Sequence, residues 1–372
     1  MTDLSRASYP RPSQKILALG EGHWNHEDYN QDARRAFQRA SQCKTPALGR
    51  RAYGSENECR EFCNTCKAAM ACSSCGSWSI AQWQRDREWA LPDCRYLSIT
   101  FTMPRSLWPL FASNQWLCWK LPQIAAKVLI NYARVRKGIE LGVMPILQTF
   151  NGKLEFNPHV HALTTAGDLK TAGADWESIF FEGHELTRVW QRLVIVLLRA
   201  ALKAGRLKSE QTNDEARRLL SCEEKRTWRK THVQQELKEH FLRYGGRYLR
   251  RPPFSERHII DVFDGFVSFW YRDKLTKRRE IVRCTLQEFI DRWARHIPER
   301  HRHAVRYFGP FAPRLWGKVR PRVFENLGTL LRARPKRLPW AAGVELLRGS
   351  NPLVDSKGQR MKFLRHISSS KG

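Results

Sequence analysis

The chain has 372 residues, 42% of them apolar and 14 of them Trp, which is enough to fill two or three packed units and excludes a disordered charged tail. Lys and Arg number 65 against 36 Asp and Glu, and the resulting net charge of +29, spread over the whole length, points to a polyanionic partner, nucleic acid before a membrane surface. The longest greasy run, Leu193 to Leu202, is broken by Arg199, and the first residues hold no apolar signal segment, so a membrane span is excluded and a cytoplasmic chain with reduced cysteines is expected.

Residues 1–42 read as a basic N-terminal arm, disordered before about Ile16, with a short helix over QDARRAFQRASQ. A zinc module is expected over 43–90. Five of the 10 Cys fall between residues 59 and 75, where even spreading would put about 0.5. The pattern is Cys59-x3-Cys63-x2-Cys66-x5-Cys72-x2-Cys75. Its two Cys-x-x-Cys knuckles suit a tetrahedral Zn²⁺ held by Cys63, Cys66, Cys72 and Cys75, which would supply folding energy to a module too small to make its own core. Cys59 and Cys43 are left over, to extend the site toward a second metal or as spectators. A helix carrying Trp78, Trp83 and Trp89 then runs to Pro92.

A core region is expected over 91–255. Residues 94–104 read as a buried strand stopped by Pro104, and 106–138 as largely helical. Two apolar runs, Val143 to Phe150 and Lys153 to Thr165, flank Asn151-Gly152, a strong hairpin signal. The second run contains Asn157-Pro158-His159-Val160-His161. In a strand, residues two apart share a face, so His159 and His161 are placed to grip one ion while Val160 faces the core. The spacing alone is weak, since chance supplies about 0.4 His-x-His triplets in such a chain. A second triplet, His301-Arg302-His303, sits in a polar, exposed run. Antiparallel pairing brings Gln148 near the histidines, either as a third ligand through its amide oxygen or as a hydrogen-bonded sheet residue. Two imidazoles and one oxygen leave coordination positions open, which suits a catalytic ion.

A helix follows over 180–204, then a charged connector over 205–230. The segment His240 to Arg251 reads as a helix up to Pro252-Pro253. It sets Tyr244 and Tyr248 about one turn apart, with Arg243, Arg247, Arg250 and Arg251 beside them. Two phenols amid guanidinium groups fit two phosphates; equally, the pair fits two amphipathic side chains at the edge of a core. Gly245 and Gly246 each cost a helix roughly 1 kcal/mol against Ala, so close approach of DNA or of another strand is expected there. Residues 256–325 read as a small antiparallel β-meander followed by a helix, and 326–372 as a basic tail that frays.

Taken in order, CKTPALG, the cysteine module, LPDCRYLSITFTMPRSLWPL, LQTFNGKLEFNPHVHAL, YGGRYLRRPP and TLQEFIDRWARHIPERHRHAVRYFGPFAPR resemble the two-tyrosine HUH transposases that move bacterial insertion sequences by a rolling-circle route. The resemblance covers about residues 43 to 325. It implies an α+β fold: an antiparallel-sheet HUH endonuclease core flanked by helices, with the zinc module before it and the meander after it. It further implies that His159 and His161 hold Mg²⁺ or Mn²⁺, with Gln148 where many relatives carry His. Tyr244 and Tyr248 would be nucleophiles toward single-stranded DNA at element ends and target, in a bacterial cytoplasm at the nucleoid. Two alternatives stand beside it: a plasmid replication initiator or relaxase of the same chemistry, and a non-catalytic zinc-containing repressor derived from a transposase.

Overall fold

The computed structural model describes residues 11–169, 177–208, 212–273 and 276–368, and for Arg250 the backbone alone. The expectation of disorder at the very N-terminus (residues 1–10) lies outside the described residues. Among the described residues, three antiparallel sheets and the helices around them give the expected α+β class.

After the helices Pro12–Leu19 and Gln31–Ser41, a hairpin of β1 (Arg50–Gly54) and β2 (Cys59–Cys63) leads to the helix Ser73–Ala90, which stops before Pro92. The central sheet is built from β3 (Tyr96–Phe101), β4 (Val143–Phe150), β5 (Phe156–Thr165) and β6 (His232–Glu236), in the order β4-β5-β3-β6. The period of two sorts its side chains into two cores. On the back, Ile99, Phe101, Leu147, Val160 and Ala162 pack with the helices Leu121–Lys137 and Gly183–Lys203. On the front, Tyr96, Met144, Ile146 and Leu163 pack with Trp83 and with Phe241, Leu242 and Leu249 of the helix Lys238–Arg250. His159 and His161 alternate with Val160 and Ala162, and therefore face the front. The outer edge of β4 is covered by residues 304–308 through bridges Ile146 to Val305 and Val143 to Phe308, which removes an exposed edge beside the site.

The meander is β7 (Ile259–Phe263), β8 (Phe266–Arg272) and β9 (Arg279–Thr285), followed by the helix Leu286–Ala294, as expected. Two expected boundaries are redrawn. The N-terminal segment is no arm: Ile16, Leu17, Trp24 and Phe37 are buried in one core with Phe289, Ile290 and Trp293. The C-terminal segment is no frayed tail through its described part: β10 (Lys362–Ile367) pairs with β1, giving the order β10-β1-β2, and the helix Trp340–Arg348 packs on Ser73–Ala90. Both departures have one cause. The partners lie some 250 to 320 residues away in sequence, and short, highly charged stretches carry their few apolar positions without a visible partner.

The β4–β5 turn also differs from a two-residue turn at Asn151-Gly152. It takes the five residues between Phe150 and Phe156, with the Asn151 side chain accepting from the backbone of Lys153 (2.9 Å) and Glu155 (3.1 Å). Leu154 adopts a left-handed φ of 60° and is buried in the N-terminal core. Burying a leucine contributes about 1.5–3 kcal/mol, more than the roughly 1–2 kcal/mol that the backbone costs.

Candidate active site and zinc centre

The site is a meeting of one strand pair and one helix. Gln148 of β4 is directly opposite His159 of β5, and Thr100 of β3 opposite His161. The His159 and His161 rings lie 4.9 Å apart at 75°. The Nδ1–H of His159 donates to the Asn157 carbonyl at 2.7 Å, which makes Nε2 the basic nitrogen of that ring. His161 has Nδ1 3.1 Å from the Thr100 hydroxyl. The Gln148 amide donates to the Phe150 carbonyl at 3.0 Å, and this leaves Oε1 available as an acceptor.

On the helix Lys238–Arg250, the buried stripe Phe241, Leu242, Gly245, Gly246, Leu249 faces the sheet and Ser73–Ala90. Tyr244 and Tyr248 stand at its edge, half-buried, with ring centroids 4.6 Å apart. The Tyr244 hydroxyl lies 3.1 Å from His161 Nε2 and 3.5 Å from Gln148 Oε1. The Tyr248 ring lies nearly parallel to His161 (6.5 Å) and tilted against Phe150 (5.5 Å). Burial, and then the neighbouring Tyr248, push the Tyr244 phenol well above its ordinary range, while Arg247 pulls it down. Arg243 and Arg247 are exposed beside the tyrosines. Arg251 is tied back, donating to the Ser77 hydroxyl at 2.7 Å.

The two glycines are explained by the sheet and a helix, not by DNA. A Cβ on Gly245 would sit 2.5 Å from Cδ1 of buried Ile146, and one on Gly246 would sit 3.0 Å from Ile80. Gly245→Val is therefore expected to lower stability by about 1–3 kcal/mol through overpacking and to lift the tyrosine helix off β4. Adding Ile146→Ala should restore both the melting temperature and the spectroscopic signature of the native core, measured by thermal unfolding and near-UV circular dichroism.

The cysteines converge differently from their spacing. Among the described residues, Cys43, Cys66, Cys72 and Cys75 form the one group of three or more His, Cys, Asp or Glu side chains close enough to share an ion. All four are buried, with sulfur separations of 3.5 Å (Cys66 to Cys75), 3.6 Å (Cys72 to Cys43) and 3.8 Å (Cys43 to Cys75). A tetrahedron with Zn–S bonds near 2.3 Å requires sulfurs about 3.8 Å apart, so the set fits zinc. Backbone N–H groups of Cys66 and Ala68 point at Cys43 Sγ (3.5 Å) and Cys66 Sγ (3.4 Å), and Arg11 reaches Cys72 Sγ at 3.3 Å. Hydrogen bonds among the four sulfurs hold Cys43 down at about 7 and Cys72 lower still, and push Cys66 and Cys75 up. Four thiols this close cannot all ionise without a cation between them.

Cys63 is thus replaced by Cys43. Cys63 ends β2, half-exposed, and Cys59 begins it, exposed; both are outside the four-sulfur group. The strand β2 holds them extended, away from the turn that gathers the others. Cys43 is 23 residues from the nearest partner, and no local spacing marks it. Thr100 was likewise unmarked, a strand threonine like any other. His301 and His303 are exposed, as their polar run implies.

A family model described as "Putative transposase" matches residues 142–317, and one described as "Transposase zinc-binding domain" matches residues 17–103, which takes in Cys43. The chain is 31% identical to the transposase for insertion sequence element IS801 of Pseudomonas savastanoi pv. phaseolicola over 348 residues, 88% of this chain and 82% of that one. It is 27% identical over 322 residues to a protein of Sinorhizobium fredii (strain NBRC 101917 / NGR234) described as "Putative transposase y4qJ", covering 81% of this chain and 80% of the other. No solved structure matches.

Proposed function

The chain belongs to the IS91-type family of insertion-sequence transposases with an N-terminal zinc-binding domain, and from that premise we propose that it nicks and rejoins single-stranded DNA through tyrosine-linked intermediates in rolling-circle transposition. One observation carries the reading: the Tyr244 hydroxyl stands 3.1 Å from His161 Nε2, with Tyr248 one helical turn away on the same helix edge.

In the proposed reaction a tyrosine oxygen attacks a backbone phosphorus, the P–O bond to the 3′ oxygen breaks, and a 3′-hydroxyl and a 5′-phosphotyrosine result. The bond energy is kept for the reverse attack, and two tyrosines let two strands be held at once. His159 and His161, oriented by Asn157 and Thr100, together with Gln148 Oε1, would hold a divalent ion, and two imidazoles with an amide oxygen suit Mn²⁺ as well as Mg²⁺. When bound, such an ion would supply Lewis-acid polarisation of the non-bridging phosphate oxygens and would screen the charge that builds during attack. The buried Tyr244 phenol keeps its proton at rest, and Arg247 is the described side chain that eases its loss. Arg243 and Arg247 are exposed where the flanking phosphates would lie. No helix among the described residues is long and apolar enough to cross a membrane.

The test uses the full chain with an end-labelled single strand carrying the element end. In Mn²⁺ or Mg²⁺ the label is expected to become covalently bound to protein, and the adduct should disappear with EDTA. A His159→Ala, His161→Ala double variant should form it at a rate lower by roughly 10²-fold or more. Absence of adduct with the unaltered protein, alongside metal-independent binding of the same DNA, favours the repressor reading and sinks this one.

A further inference from the structure

A strongly basic groove lies beside the zinc module. A groove of about 3110 Å³ runs between the β1–β2 hairpin, the helix Ser73–Ala90 and the helix Trp340–Arg348. Twelve Arg and Lys side chains line it against four carboxylates, and the carboxylates are already engaged. Glu58 pairs with Arg60, Glu61 with Arg50 at 2.6 Å, Asp86 with Arg334 at 3.9 Å, and Glu256 accepts from Ser13 and Ser73. Among the described residues no ion pair takes up Arg51 or Arg337, and both are exposed.

The second observation is the alternation of side chains on the sheet. Arg51 and Tyr53 share a face of β1, Arg60 and Phe62 share the matching face of β2, and Phe363 of β10 is opposite Tyr53. Ring centroids are 5.9 Å apart for Tyr53 and Phe62, and 5.1 Å for Phe62 and Trp340. None of these rings is buried, and none belongs to a core cluster; Trp340 is 39% and Phe363 48% exposed. A core would have closed over them. Aromatic rings left open among arginines offer what a single nucleic-acid strand needs, π-faces for unstacked bases and guanidinium groups for phosphates. A duplex keeps its base faces stacked inside and has no use for the rings.

We propose that this groove is a second DNA site, which seats a single strand with bases on Tyr53, Phe62 and Trp340 and phosphates on Arg51 and Arg337. The inference rests on the reading that the tyrosines act on single-stranded DNA and extends the path of that strand. Arg251, held to the Ser77 hydroxyl, lines the groove three residues beyond Tyr248, so the end of the tyrosine helix borders the groove. The strand β10 thereby gains a purpose: it completes the platform from the far end of the chain.

The experiment uses full-length, zinc-loaded protein carrying Tyr244→Phe and Tyr248→Phe, without divalent ion, so that binding is read apart from cleavage. Affinity for a fluorescent oligodeoxythymidine of about 20 nucleotides and for a duplex of the same length is measured by anisotropy. Adding Tyr53→Ala and Phe62→Ala should weaken single-strand binding about tenfold or more and duplex binding less than about twofold, at unchanged zinc content. Protein with Tyr53 and Phe62 intact, irradiated with an iodouracil-bearing single strand, should cross-link at Tyr53, Phe62 or Trp340. Equal loss for single strand and duplex, or cross-links confined to the opposite side of the molecule, overturns the proposal. A protein that binds in this way yet forms no adduct in the earlier test loses only the chemistry; one that nicks normally while indifferent to Tyr53 and Phe62 loses only the groove.

Discussion

Replacing Tyr244 and Tyr248 together by phenylalanine is expected to abolish covalent capture of single-stranded DNA, by roughly 10⁴-fold or more, the scale of deleting a nucleophile. The substitution removes two oxygens and little else. The rings remain, with the 4.6 Å contact between them and the packing of Tyr248 on Phe150. The lost contact of the Tyr244 hydroxyl with His161 should cost about 1 kcal/mol, so unfolding moves by a few degrees at most. The single variants separate the two roles. Each retains one hydroxyl at the edge of the same helix, so each should still trap labelled strand on a denaturing gel. Neither should produce the joined product that needs two strands held at once. An undiminished adduct in the double variant would place the nucleophile elsewhere and remove the basis of the proposed chemistry.

What could be read from the sequence divides along physical lines. The hairpin and the histidine strand were legible because a period of two over ten residues is a long signal, and Val160 and Ala162 on the back face fix the register that turns His159 and His161 to the front. The tyrosine helix was legible from its stop at Pro252-Pro253 and from the one-turn spacing of Tyr244 and Tyr248. Gly245 and Gly246 announced a close approach but not its partner, because a missing side chain says only that something is near; Ile146 and Ile80 are the neighbours. The edge strand β6, with Val233 its only apolar residue, was passed over, since an exposed edge needs no alternation. The strand β10 has no buried residue of its own and exists because β1 offers an edge more than 300 residues away. Contacts of that kind leave no local trace. The fourth zinc sulfur is the sharpest case, since the knuckle at Cys63 and Cys66 has ideal spacing and yet only one of its two sulfurs is used.

That substitution of one cysteine for another leads to the second large expected effect. Cys43→Ser should lose zinc, whereas Cys63→Ser should keep one zinc per chain, measured by metal analysis after gel filtration in the presence of a weak chelator. The argument is geometric. Cys43 Sγ lies 3.6 Å from Cys72 Sγ and 3.8 Å from Cys75 Sγ, within the separation a tetrahedral ion imposes, and a serine oxygen is a poor substitute for thiolate. Cys63 ends β2, half-exposed and outside the four-sulfur group. The consequences extend past the metal. The four sulfurs belong to one core with Ile16, Leu17, Phe37, Phe289 and Trp293, so the ion ties the N-terminal helices to the helix behind the meander. Structural zinc in small peptides contributes about 10–16 kcal/mol, comparable to the whole stability of a domain. Cys43→Ser is therefore expected to open residues 11–90 to limited proteolysis and to loosen the meander helix with them, while Cys63→Ser resists as the unaltered protein does. Retention of zinc by Cys43→Ser together with its loss from Cys63→Ser would return the fourth ligand to the knuckle, and would require β2 to fold back toward Cys66 in the zinc-bound protein.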